Sequence, residues 1–188
     1  MTVQLLMQFT MLINQVFNGT TVSLLEMLDA KEERQAIQQR LITKYPQATL
    51  LSITLNIPGE VKNSIVLEQF FNQQLNELQS LYQDKVIEQS VFNKFTGNEA
   101  FLVIEMEPLR LKKQLIEFEE SQPVRRILDL DVLYLNNQEL TVVSRKDYRL
   151  PSRRCLVCEQ DAKICGRERK HSVEAIQQKI IELLSSST

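Results

Sequence analysis

Residues 127–143 read ILDLDVLYLNNQELTVV. Branched and aromatic side chains dominate Ile127–Leu135, which is the composition of a strand. Asn136-Asn137 supplies the residue type that tolerates turn backbone, and Leu140–Val143 can pair back as a second strand. Upstream, Ser121–Pro123 breaks a helix opened by Pro108, whose apolar stripe is Leu109, Leu111, Leu115, Ile116 and Phe118. Phe101–Met106 and Val86–Phe92 are β-prone on either side of a Thr96-Gly97 turn. Leu67–Gln83 returns to helical spacing.

Further out, Leu50–Ile57 alternates, with Leu51, Ile53, Leu55 and Ile57 on one face, so it reads as a half-buried strand ended by Pro58-Gly59. Thr21–Tyr45 reads as a helix through Leu24, Leu25, Leu28, Ile37, Leu41 and Ile42, with Pro46 after it. At the other end His171 or Ser172 caps a last helix over 172–184, with Val173, Ile176, Ile180, Ile181 and Leu184 on one face. Helices and strands that do not strictly alternate predict an α+β domain, a mixed or antiparallel sheet flanked by helices. One domain over 1–188 is expected, with 1–23 as an N-terminal extension and 145–171 as a basic, cysteine-bearing segment.

The 188 residues are 43% hydrophobic and 24% charged, with net charge -2, the composition of an ordinary globular protein with its own core. The charge is uneven. Arg145–His171 holds nine Lys/Arg against four acids, a local net of +5, so the rest carries -7. That asymmetry predicts an anionic partner for the C-terminal part. The start, MTVQLLMQFTMLINQVF, is apolar but interrupted by Gln4, Gln8, Thr10, Asn14 and Gln15. It has no basic leader and no run long enough to span a bilayer, so a segment packed on the domain is expected, with a membrane-surface helix as the alternative. Three clustered cysteines suit a reducing, cytoplasmic setting better than a disulfide framework.

Asp129 and Asp131 stand two apart in the apolar strand and share one face. Neighbouring carboxylates in apolar surroundings repel and lose hydration unless a cation joins them. Mg²⁺ suits such oxygen ligands and bridges to substrate phosphates, the arrangement that phosphoryl and nucleotidyl transfer need. The plainer reading is a pair of solvent-facing acids on an edge strand. In the basic segment, Cys155 and Cys158 bracket two residues, Cys165 follows after six, and His171 after five more. Three thiolates and one imidazole make a zinc set. Unligated thiols or redox chemistry are the alternatives. Arg153, Arg154, Arg167 and Arg169 crowd the same stretch, and guanidinium forks bind phosphate oxygens in pairs. Lys62, just past the Pro58-Gly59 turn, is a further substrate candidate or simply a solvated loop lysine.

Four stretches together resemble one family: EERQAIQQRLITKYPQATLLSITLNIPGEVKNS (32–64), FTGNEAFLVIE (95–105), RILDLDVL (126–133) and LPSRRCLVCEQDAKICGRERKHS (150–172). The chain resembles the citrate lyase holo-acyl-carrier-protein synthases, the apo-citrate lyase phosphoribosyl-dephospho-CoA transferases, over about Leu24–Leu184. Met1–Ser23 lies outside the resemblance. It implies an enzyme that uses triphosphoribosyl-dephospho-CoA: a serine hydroxyl of the apo acyl-carrier subunit attacks the α-phosphorus and diphosphate leaves. It implies a nucleotidyltransferase-like sheet, metal on Asp129 and Asp131, phosphate contacts from Arg126, Arg145, Arg153, Arg154 and Arg167, and a substrate contact from Lys62. Two features depart from the usual pattern: Val124-Arg125-Arg126 stands where a glycine usually precedes the arginine, and no Gly-Ser pair shortly precedes Asp129. No membrane or nucleic acid is implied as partner. The contrasting expectation is a zinc-stabilised basic module that binds nucleic acid or an acidic protein without catalysis, but only Tyr148 interleaves with the arginines for stacking. An enzyme that makes the prosthetic-group precursor instead of transferring it is the third expectation.

Overall fold

The computed structural model describes residues 15–150 and 152–186. Expectations for the apolar start lie outside the described residues up to position 14. The first described residues sit on the domain: Val16 is buried, and its carbonyl accepts a hydrogen bond from Ser64 Oγ at 2.7 Å.

Among the described residues the elements run α1 (Leu24–Lys44), β1 (Thr49–Leu55), α2 (Ile65–Tyr82), β2 (Val86–Lys94), β3 (Gly97–Ile104), α3 (Pro108–Ser121), a 3₁₀ turn (Pro123–Ile127), β4 (Leu128–Asn136), β5 (Glu139–Val143), a second 3₁₀ turn (Arg145–Tyr148), α4 (Ala162–Arg167) and α5 (Val173–Ser185). The caps fix the helix starts. Ser23 and Glu26 form a reciprocal capping box on α1, and Ser172, not His171, accepts from Ala175 N to start α5. The strands form one antiparallel sheet in the order β2-β3-β1-β4-β5. The expected α+β fold is therefore present, and of the two expected sheet types it is the antiparallel one.

Side chains alternate across the sheet, so it has two apolar faces. Leu51, Ile53, Ala100, Leu102, Leu130 and Val132 meet α2, α3 and α5 on one side. Leu50, Phe101, Val103 and Leu133 meet Leu41 and Ile42 of α1 on the other. This corrects the reading of β1. It is the middle strand, buried on both faces from Thr49 to Ile53, not half-buried. Alternation along one strand cannot reveal that its polar member, Ser52, is covered too, with Gln38 Nε2 of α1 donating to its hydroxyl at 3.1 Å.

Two further expectations shift. Leu24 and Leu25 are 78% and 67% exposed, because the buried stripe of α1 begins at Ala30 and runs through Gln38, Leu41 and Ile42. The β4–β5 turn sits one residue later than expected, on Asn137 and Gln138, at φ 50° and 68°. Two consecutive left-handed residues give the turn whose twist matches paired strands.

Candidate active site

The site begins where β5 ends. Pairing between β4 and β5 starts at Val132↔Val143, so Leu128–Asp131 has no strand on its outer side. The chain leaves at Ser144, which caps the 3₁₀ turn with Asp147. Carbonyls on this open edge still need donors. Arg153 Nη1 donates to Leu128 O at 3.1 Å and Lys112 Nζ donates to Leu130 O at 2.7 Å. Two cations are thus drawn to the stretch that carries the acids.

Asp129 lies opposite Thr54 and Asp131 opposite Ser52, on the face of the sheet shared with Leu133. Arg153 Nη1 stands 3.4 Å from Asp129 Oδ1. Asp131 reaches solvent, yet desolvation by surrounding protein atoms raises its carboxyl above the usual range, and Asp129 raises it further. Lys112 is 7% exposed, and burial lowers its ammonium while Glu119 and Asp131 push it back. Glu119, 3% exposed, accepts from Arg145 Nη2 at 2.7 Å and from Arg153 Nη2, and Arg145 also reaches Glu120 at 2.7 Å. One buried carboxylate therefore holds two guanidinium groups in place.

These side chains line a cavity of about 450 Å³: Asp129 and Asp131 with Lys112, Arg145, Lys146, Arg153 and Lys163. A second cavity of about 560 Å³ is lined by Arg126, Arg153, Arg154 and Arg169, with Leu156, Val173 and Ile176 as its apolar side. Arg153 borders both. Another surface cavity, about 660 Å³, lies near the other end of β1, around Lys44–Ala48 and Glu105–Pro108. It gathers no comparable set of cations.

The structure brings most of the expected residues together. Asp129, Asp131, Arg145 and Arg153 share the first cavity, and Arg126, Arg153 and Arg154 share the second. Arg126 is spoken for: it pairs with Glu159 at 2.9 Å and donates to Cys155 O at 3.0 Å. Arg154 is exposed and forms no ion pair among the described residues. Arg167 is exposed on α4 and borders neither cavity. Lys62 also lies away from both; its ammonium donates to Ile57 O at 2.7 Å, and burial lowers its pKa. Gly59, at φ 87°, packs against α5, where a Cβ would meet Gln177 Nε2 at 2.8 Å.

Lys112 and Glu119 escaped the sequence reading. Their signal was the spacing Lys112, Ile116, Glu119, which puts two ionisable groups on the apolar stripe of α3. Arg125, left unassigned, is buried and structural, bonded to Gln74 and Glu77 with its guanidinium 3.8 Å above the Phe118 ring.

Cys155, Cys158, Cys165 and His171 also converge. Their ligand atoms all lie within 4.8 Å of one another, a group that could hold a metal ion. The Gln160 amide lowers the Cys158 thiol to about 6 and His171 lowers it too, while burial raises Cys165 to about 11.

A family model described as apo-citrate lyase phosphoribosyl-dephospho-CoA transferase matches residues 22–187. The chain belongs to this family. It is therefore an enzyme, and the expectation of a non-catalytic basic module is set aside. A probable apo-citrate lyase phosphoribosyl-dephospho-CoA transferase of Streptococcus pyogenes serotype M18 is 40% identical over 171 residues, which is 90% of this chain and 89% of that one. The transferase of Escherichia coli O6:K15:H31 is 34% identical over 177 residues, 93% and 94% of the two chains. Protein CitXG of Haemophilus influenzae is 40% identical over 168 residues, 88% of this chain but 35% of that longer protein. The family match begins at residue 22, which leaves most of the N-terminal extension outside it. No helix among the described residues is long and apolar enough to cross a membrane.

Proposed function

We propose that the enzyme transfers the phosphoribosyl-dephospho-CoA group from its triphosphate precursor to a serine of the apo acyl-carrier subunit of citrate lyase, releasing diphosphate. The observation that carries this reading is the pairing of Asp129 and Asp131 with five cationic side chains around one cavity, at the open edge of β4. The family's description, a phosphoribosyl-dephospho-CoA transferase of apo-citrate lyase, supports the choice of transferred group and acceptor.

The donor set fits Mg²⁺. Two neighbouring carboxylates are hard oxygen ligands, and desolvation together with the adjacent Asp129 raises the carboxyl of Asp131, a cost that a bound cation would relieve. Asp129 and Asp131 would hold the ion, which when bound neutralises charge on the phosphates during transfer. Lys112, Arg145 and Arg153 take the phosphate oxygens, with Lys146 and Lys163 at the rim. Glu119 keeps Arg145 and Arg153 oriented, so little reorganisation is needed as charge develops. The serine oxygen forms the new P–O bond while the bond to diphosphate breaks. The second cavity, basic on one side and apolar on the other, suits the dephospho-CoA part of the donor, and Arg153 links the two. A cytoplasmic setting fits both substrates.

The test is direct. Enzyme, apo carrier subunit, Mg²⁺ and triphosphoribosyl-dephospho-CoA are mixed, and diphosphate is measured against carrier mass. One diphosphate per carrier labelled supports the reading. Diphosphate release that does not depend on carrier would contradict it.

A further inference from the structure

We propose that Cys155, Cys158, Cys165 and His171 bind one zinc ion, and that this ion folds residues 152–171 into the wall carrying Arg153 and Arg154. The geometry of the donors comes first. Cys158 Sγ lies 3.5 Å from Cys165 Sγ and 3.1 Å from His171 Nε2. A zinc tetrahedron with its usual bond lengths has sulfur–sulfur edges of about 3.8 Å and sulfur–nitrogen edges of about 3.5 Å. Four donors drawn to that scale, from three separate pieces of backbone, make a closed set with no position left for water. Such closure marks structural zinc, and soft thiolates select it over Mg²⁺.

The backbone is shaped for the same purpose. Cys155 and Cys158 lie on one turn, with Glu159 N donating to Cys155 O at 3.3 Å and Cys155 N to Gln160 O at 2.6 Å. Glu159, immediately after Cys158, holds φ 59°. Left-handed backbone at a side chain other than glycine is strained. Such strain persists where something else fixes the conformation. Apolar packing is a weak candidate for that something, since Val157 and Ile164 in this segment are exposed. Ligation supplies the missing constraint. It also accounts for the two thiols, Cys155 and Cys165, buried in a segment that is otherwise largely at the surface.

The charge balance agrees. Three thiolates on Zn²⁺ leave one net negative charge, and Arg126, Arg154 and Arg169 stand around the same cavity as Cys155, Cys165 and His171. Arg126 Nη2 donates to Cys155 O, and Arg153 reaches Leu128 O, so the zinc-folded segment is riveted at one point to the 3₁₀ turn before β4 and at another to β4 itself. Arg153 and Arg154 immediately precede Cys155. Their aim follows from where that ligand is pinned. The metal site stands on donor geometry alone; its consequence for substrate phosphates rests on the transfer reading.

The experiment is metal analysis of the full chain, expressed in zinc-supplemented medium and purified without chelator or affinity tag. One zinc per chain is expected by plasma mass spectrometry, falling at least fivefold in both Cys165→Ser and His171→Ala. Should a variant fail to fold, the wild-type protein treated with a strong chelator serves instead. Trypsin should then cut it at the Lys and Arg residues of 152–171, leave the sheet intact, and lose that access when zinc is restored. Less than 0.2 zinc per chain, iron in its place, a His171→Ala variant with full zinc content, or tryptic access indifferent to zinc would overturn the proposal. Loss of carrier labelling with normal zinc content would count against the transfer reading and leave the zinc site standing.

Discussion

Glu119 shows how much can depend on one side chain. It is buried on α3 and accepts from Arg145 and Arg153, which would otherwise be two half-buried cations held near Lys112. Removing one partner of such a set leaves charge uncompensated. Glu119→Ala should therefore cost about 3 kcal/mol of stability, read as a lower urea midpoint at unchanged slope. Tyr82 is the opposite case. It is buried, its hydroxyl has no hydrogen-bond partner among the described residues, and burial pushes its phenol up to about 12. In the unfolded chain the phenol ionises near pH 10. Between about pH 10 and 12 the folded state therefore keeps a proton that the unfolded state has lost. The contribution of this group is complete below pH 10 and fades as pH rises through about 12. Tyr82→Phe should match or exceed wild-type stability at pH 7, by up to about 1 kcal/mol, and should remove that alkaline loss. Denaturation at pH 7 and at pH 11 checks both halves.

Among the elements, β4 was the most legible in the sequence. Its branched and aromatic run folds as a strand over Leu128–Asn136, one residue on from the expected Ile127–Leu135, and Asp129 and Asp131 share a face as expected. The open edge was not legible, because where β5 stops depends on Ser144 capping a 3₁₀ turn and not on any β-propensity. Lys112 and Glu119 were hidden for a related reason. Periodicity shows that α3 has an apolar stripe, but not that the stripe passes beside an unpaired strand edge whose carbonyls want donors. The exposed Leu24 and Leu25 on α1 show the reverse failure, since helical spacing of leucines does not say which turns reach the sheet. The β4–β5 turn gives a clean element-scale test. Gln138 holds φ 68° with a side chain attached. Glycine carries no such cost, so Gln138→Gly should stabilise the protein by about 1 kcal/mol, seen as a rise in melting temperature with no change in activity.

At the scale of the molecule, the central strand β1 separates two apolar layers, and the C-terminal half wraps the edge that those layers leave open. The charge asymmetry of the sequence pointed to an anionic partner for this part of the chain, not to its place against the sheet. The basic segment from Arg145 onward brings Arg145, Arg153 and Lys163 to the acids of β4, across distances in sequence that no local pattern measures. Lys62 and Arg167 lie away from the cavities because their backbone positions are fixed by neighbours that sequence spacing does not describe: the Ile57 carbonyl for one, the exposed side of α4 for the other. Transfer requires Asp129 and Asp131 to act together inside that basic surround. Its most direct test is intact-mass analysis of apo carrier subunit incubated with donor, Mg²⁺ and either wild-type enzyme or Asp129→Asn, an isosteric change at a half-exposed side chain. Wild type should label the carrier fully, and the variant should label it at a rate lower by about 10²–10³-fold with melting and donor binding unchanged. Labelling by Asp129→Asn at the wild-type rate would contradict that requirement.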